Sequence, residues 1–277
     1  MMAQLLDRRQ MKAETNEILK TAQVSPKAMT ALYLGLGVLF ALVDDLTSKG
    51  AAVVDRNLIG IFVFVMISLL NTVLGAGYTM YCMAVRRGER VEFLSLFDGF
   101  SFAGKIIALT FIQGLLVSLW TMLFIFPGII AFYRYRFALY NLYENPDIGI
   151  LDALDMSKQQ TMGYKTQLFF LDMSYIGWIV LAMLPALALD IYITSQNVNS
   201  LMSGSPLDAT FGGFLWLVLL VCNLWDSAVA VFYLPNYQCT DVGYFEIAKK
   251  TSGVGAKSEA SLPAHSWSDD TDDSEEL

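Results

Sequence analysis

The sequence predicts an all-α membrane protein, a polytopic helix bundle in which six spans form three hairpins accompanied by amphipathic interfacial helices. Hydrophobic residues make up 55% of the chain and charged residues only 16%, whereas soluble domains carry about 25% charged residues. The apolar residues also gather into runs that are long enough to cross a bilayer, for which about 20 residues suffice. The distribution of lysine and arginine, considered below, sets the number of spans.

The chain divides into three parts. Residues 1–27 carry apolar residues at helical spacing and are expected to form an amphipathic segment on the cytoplasmic membrane surface. Residues 28–250 form the six-span membrane domain. Residues 251–277 are an acidic tail that holds most of the net charge of −8 and is expected to be disordered, because so polar a stretch cannot bury a core. The membrane domain lacks a basic surface of the kind that binds nucleic acid.

Six apolar runs are predicted to span the membrane, at 28–43, 58–85, 106–126, 129–143, 166–190 and 211–234. Pro127-Gly128 is expected to end the third span, and Pro235 the sixth. Residues 86–105 and 148–163 are predicted to be surface helices. Three times an amphipathic segment ends near a lysine (Lys27, Lys105, Lys165) and is followed by two spans. This pattern indicates either three repeated units or the alternation common to hairpin proteins, since residue identities barely repeat.

Two topologies are compatible with these runs. If Pro127-Gly128 forms a tight turn at the outer surface, there are six spans, and of the 18 lysines and arginines only Lys49 and Arg56 lie outside. If Pro127 merely kinks one long helix, there are five spans and the positive charge divides evenly between the two sides. Because positive residues concentrate on the cytoplasmic side, we predict six spans in the cell membrane, with both termini cytoplasmic.

Four charged residues within predicted spans form a candidate intramembrane polar cluster: Arg134, Arg136, Asp172 and Asp226. Counted from Pro127, Arg136 would lie about 13 Å deep, near the midplane, at a cost of at least about 3 kcal/mol unless it is paired. The alternative is that the fourth helix begins nearer the cytoplasm. Arg134 and Arg136 are two residues apart and cannot share a helix face, so at most one joins the cluster. We favour a buried ion pair that fixes helix register over an ion path.

The sequence offers no catalytic, metal or cofactor site. The single histidine, His265, lies in the acidic tail, and three cysteines show no metal-binding spacing. Residues 99–106 resemble a phosphate-binding loop, but Ile106 replaces the hydroxyl residue that would hold magnesium. We therefore expect no enzymatic activity.

Five segments carry a family resemblance: PGII, ENPDIGILDAL, SKQQTMGYK, LFFLDMSYIGW and LPNYQCTDVGYF. Together they resemble a bacterial integral membrane protein family, domain of unknown function 975. Ala153, Ser157, Gly163 and Lys165 occupy its motif positions, and Met162 stands one residue after the position of the motif methionine. Arg134 and Arg136 depart from the smaller or neutral residues typical of their segment. The resemblance implies a fold and a plasma-membrane location, and no reaction.

These observations favour a non-catalytic integral membrane protein that associates laterally with the lipid bilayer, with another membrane protein or with further copies of itself. The alternative is a small transporter or channel-like carrier that uses Arg136, Asp172 and Asp226 in the bundle interior. Substitution of the two aspartates separates these hypotheses, because only a transporter would lose flux.

Overall fold

A computed structural model describes residues 5–49, 54–203 and 209–255, and all regular structure within them is helical. The predicted acidic tail beyond residue 255 lies outside the described residues. The helices are α1 (Arg8–Thr21), α2 (Pro26–Lys49), α3 (Val54–Arg86), a 3₁₀ helix (Phe93–Phe102), α4 (Ala103–Leu123), α5 (Ile125–Arg134), α6 (Ala138–Glu144), α7 (Ile150–Gln160), α8 (Lys165–Met173), α9 (Ile176–Ser203) and α10 (Ala209–Ser252).

Five helical segments in the described chain are long and apolar enough to cross a membrane: Pro26–Asp44, Gly60–Arg86, Phe93–Leu123, Ile176–Gln196 and Leu217–Ser252. Large apolar side chains such as Phe62, Phe111, Leu184 and Phe232 are exposed on these segments. Exposed apolar surface of this extent is typical of lipid contact. The predicted all-α membrane helix bundle is therefore confirmed.

The helices pair into three antiparallel hairpins. Hairpin 1 is α2 with α3, hairpin 2 is α4 with α5 and α6, and hairpin 3 is α8 and α9 with α10. In hairpin 1 the start of α2 meets the end of α3, where Thr30 Oγ1 lies 2.8 Å from the Tyr78 hydroxyl. In hairpin 3 the Trp225 indole donates to the Leu181 carbonyl at 3.1 Å.

Hairpin 2 reverses the chain slightly earlier than predicted. α4 ends at Leu123, Phe124 is extended, and α5 begins at Ile125. The ends of the hairpin meet where Lys105 Nζ donates to the Pro146 carbonyl. Pro127 lies in the first turn of α5, where its missing N–H costs nothing. A Cβ added to Gly128 would lie 2.1 Å from Thr121 Oγ1. Only glycine therefore allows α5 to pack this closely against α4.

Two predicted spans require correction. The fourth, at 129–143, is not one helix, because the chain leaves helical geometry between Arg134 and Ala138 and continues as the short helix α6. Six spans therefore remains a prediction, beside five candidate helices in the described residues. The sixth span does not end at Pro235, because α10 continues to Ser252. Proline removes one backbone hydrogen bond, and α1 and α3 pack along α10 and hold it together.

The bases of the three hairpins form one compact region, here called the packed end, where α1, the 3₁₀ helix and α7 also pack. Its core contains the fully buried side chains of Tyr81, Phe137, Tyr164, Tyr244 and Phe245. Ion pairs tie its surface together. Arg86 contacts Glu14 at 3.1 Å and Glu246 at 2.8 Å, and Glu144 contacts both Arg87 and Lys249. The packed end faces the cytoplasm in the topology predicted from the positive charges.

Candidate functional site

A buried arginine lies where hairpins 2 and 3 meet at the packed end. Arg136 occupies the break between α5 and α6, and its side chain is 8% exposed. It donates two hydrogen bonds to Asp172 on α8, from Nη1 at 2.9 Å and from Nη2 at 3.0 Å. Its Nε lies 2.8 Å from Oδ1 of Asp241 on α10. Paired donors matched to a carboxylate make a strong, directional contact.

Three tyrosines complete the site. Tyr133 donates to Asp172 Oδ2 at 2.7 Å, and Tyr140 donates to Asp241 Oδ2. Tyr237 accepts a hydrogen bond from Arg136 Nη2 at 2.7 Å and donates to Asp172 Oδ1 at 3.0 Å. The guanidinium carbon also lies 5.6 Å and 5.8 Å from the ring centroids of Tyr133 and Tyr237, within cation–π range. These six residues are here called the Arg136 network.

The network carries one formal positive charge against two negative ones. Asp241 Oδ1 faces Arg136 Nε, but the N–H is not directed along that line, and no described residue gives this oxygen a hydrogen bond. The contact is therefore an ion pair without an aligned hydrogen bond. The network therefore has an excess of one negative charge, and the Asp241 side chain in it is only 5% exposed.

The break that presents Arg136 is held by α7. At a helix break, backbone groups lose their partners and need others. The buried Ser157 hydroxyl accepts a hydrogen bond from the Phe137 N–H at 3.0 Å and donates to the Arg134 carbonyl at 2.9 Å. The Thr161 hydroxyl reaches the same carbonyl at 3.3 Å. Ser157 thus replaces backbone hydrogen bonds that a continuous helix would have made.

The network extends to hairpin 1 and so joins all three hairpins. Gln238 on α10 donates to the Tyr140 hydroxyl at 3.1 Å and to Thr79 Oγ1 on α3 at 3.3 Å. The side-chain amides of Asn141 and Gln160 exchange two hydrogen bonds of 2.8 Å, which connect α6 to α7. Arg136 therefore connects α8 and α10 directly, and Gln238 adds the connection to α3.

The network lies toward the packed end of α10. About 36 Å of helix separates Leu217 from Asp241 on α10. The hydrocarbon core is about 30 Å thick. Large exposed apolar side chains on α10 also end at Phe232. Along hairpin 2, Arg136 lies twelve residues after the turn at Phe124, which is about 18 Å of helix. Its depth near the midplane therefore stays a prediction.

The structure brings together two of the four predicted cluster residues, Arg136 and Asp172. Arg134 ends α5 outside the network, and its buried Nε has no hydrogen-bond partner among the described residues. Asp226 is exposed on α10, away from the network. Asp241 and Tyr237 were missed because the sixth span was ended at Pro235. Their spacing of four residues, which places both on one helix face, was the available signal.

The described part of the chain has two cavities away from the network and no cluster of metal ligands. Two cavities of about 730 Å³ and 320 Å³ are lined by residues outside the network. Within residues 5–49, 54–203 and 209–255, no three histidine, cysteine or acidic side chains gather to hold a metal ion. Neither of these two cavities reaches the network.

Comparison with known proteins gives a family. The model of the family described as "Protein of unknown function (DUF975)" matches residues 126–251. No curated protein and no solved structure matches the chain. The matched region holds every member of the Arg136 network together with the supporting Ser157. Over residues 126–251, the chain is therefore similar to this family, whose function is unknown.

Proposed function

We propose that the protein is a non-catalytic integral membrane protein that acts by lateral association with lipid and with another membrane protein or a second copy. The observation that carries this proposal is that the charged groups of the Arg136 network form ion pairs with one another. Arg136 reaches both acids, and each acid also accepts a tyrosine hydrogen bond. Such a network supports the packing of the hairpins.

A transported ion or a bound substrate needs polar groups that can exchange partners and a cavity through which it can pass. Both described cavities lie apart from the network. The exposed apolar surface of hairpins 2 and 3, with Phe111, Trp178 and Phe232, is available instead to lipid tails or to another membrane helix. In this proposal the protein lies in the plasma membrane with its packed end in the cytoplasm.

One observation favours a small transporter as the second candidate. Asp241 Oδ1 is buried, has no aligned hydrogen bond and belongs to a network with one excess negative charge. An acid in this position could take up a proton or a cation. The protein would then use the network as a gate between the hairpins.

Flux through the full chain distinguishes the two functions. The protein and its Asp241→Asn variant are reconstituted into liposomes, and proton, sodium and potassium flux are measured with entrapped dyes. Asp226→Asn is the matched control, because it makes the same substitution on the same helix at an exposed position. We expect no flux above that of protein-free liposomes. Flux that Asp241→Asn abolishes while the protein stays folded would contradict the proposal.

A further inference from the structure

The larger cavity, of about 730 Å³, lies between α1, the start of α2 and the Pro235 region of α10. Its polar lining includes two lysines, Lys20 and Lys27, one acid, Glu17, and the amides of Asn16, Gln23 and Asn236. Its apolar lining includes Phe232. Its volume falls in the range of about 300–1,000 Å³ that is typical of small-ligand sites. The cavity is remote from the Arg136 network.

The cavity straddles the boundary between lipid and water. Phe232 is 62% exposed and is the last large exposed apolar side chain of α10 in the described part of the chain. Lys27 lies in the first turn of α2, where the span Pro26–Asp44 begins. The part of α10 against which α1 packs begins at Asn236, whose amide donates to Asn16 Oδ1 at 2.6 Å. A ligand here would meet polar groups at one end and the bilayer at the other.

Two donors of the polar lining, the Lys27 ammonium and the Gln23 amide, make no hydrogen bond to any described residue. Lys27 Nζ lies 5.3 Å from the Phe232 ring centroid, and no described carboxylate comes within 4 Å of it. The Lys20 ammonium is paired with Glu17 at 2.8 Å, on an exposed surface where such pairs are weak. These donors suit an oxygen-rich anion.

We propose that this cavity binds the headgroup of an anionic glycerophospholipid. The phosphate would lie against Lys27 and Lys20, because basic pockets beside membrane helices hold phosphate headgroups. The acyl chains would leave past Phe232 into the bilayer. A soluble phosphate would satisfy the lysines but would leave the apolar side of the cavity unused. The inference rests on the proposed function in naming one lipid class with which the protein associates.

Native mass spectrometry of the detergent-purified full chain tests the site. The protein is titrated with phosphatidylglycerol or with phosphatidylcholine of identical acyl chains, and bound lipid is counted. The variants are Lys27→Gln and Lys20→Gln, which change exposed side chains and should leave the thermal midpoint unchanged. Lys158→Gln on α7 is the matched control, since the Lys158 side chain is 44% exposed and lies outside the cavity. Glycerol phosphate serves as a headgroup without chains.

We expect phosphatidylglycerol to bind in preference to phosphatidylcholine, and Lys27→Gln to weaken the preferred binding about five-fold. Lys158→Gln should leave it unchanged. Equal binding of both lipids, or equal effects of Lys27→Gln and Lys158→Gln, would overturn the site. Glycerol phosphate that binds as tightly as the lipid would overturn its assignment to a lipid. These outcomes involve no flux, so they are distinguishable from a failure of the proposed function.

Discussion

Removal of the positive charge from the Arg136 network should destabilise the protein more than removal of either negative charge. Arg136→Gln leaves Asp172 and Asp241 buried together, with side chains only 20% and 5% exposed. Loss of one partner from a buried ion pair typically costs about 3–5 kcal/mol. Asp172→Asn keeps the pair between Arg136 and Asp241 and keeps an oxygen for the tyrosine donors, so we expect about 1–3 kcal/mol. Asp241→Asn removes the excess negative charge and should cost less.

The assay is thermal unfolding in detergent, followed with a thiol-reactive fluorophore. Cys82 and Cys239 are fully buried and become reactive only when the bundle opens, whereas Cys222 is partly exposed and is replaced by serine throughout. For a chain of this size each kcal/mol moves the midpoint by about 2–4 °C, so Arg136→Gln should lower it by about 10 °C. Asp226→Asn is the matched control and should leave it within about 1 °C.

The ordering of the variants is the decisive part of this prediction. It requires Arg136→Gln to be the least stable, Asp172→Asn to be intermediate and Asp226→Asn to resemble the parent protein. If Arg136→Gln were as stable as the Asp226→Asn control, the guanidinium would not be holding the hairpins together. If Asp172→Asn were the least stable variant, the charge balance inferred for the network would be wrong.

Three further substitutions test the packing around the network, each by the same unfolding assay. Ser157→Ala removes both hydrogen bonds at the helix break and should cost about 1–3 kcal/mol; no loss would show that α7 does not hold the break. Gly77→Ala would place a Cβ 1.9 Å from the Leu96 carbonyl oxygen and should prevent close packing of α3 on the 3₁₀ helix, whereas the control Gly114→Ala has open space. Gly163→Ala forces a φ of 83° on alanine and should cost about 1 kcal/mol; an unchanged midpoint would refute this.

The hairpin architecture could be predicted because it depends on local properties of the sequence. Apolar runs of sufficient length mark membrane helices wherever they occur. The amphipathic stretches at 86–105 and 148–163 mark the connections at the packed end. The reversal in hairpin 2 followed from the Pro-Gly pair and the distribution of positive charge, although the turn itself is at Phe124.

The break between α5 and α6 could not be predicted in the same way. Tyr135, Arg136 and Phe137 include neither glycine nor proline, so local propensity favours a continuous helix. The break is stabilised by Ser157, whose contacts depend on how α7 folds back. Pro235 gave the opposite error, because it predicted a helix end where none occurs. Tertiary packing stabilises α10 beyond Pro235, and this places Asp241 next to Arg136.

The account depends most on the chain reversing at Phe124, which places α1 and α7 on the same face of the membrane. Single cysteines at Lys20 on α1 and Asp155 on α7, both at exposed positions, are introduced into a cysteine-free chain and labelled with a membrane-impermeant maleimide. The account predicts that both positions are protected in intact cells and that both are labelled in inverted vesicles. Labelling of the two positions from opposite sides of the membrane would contradict it.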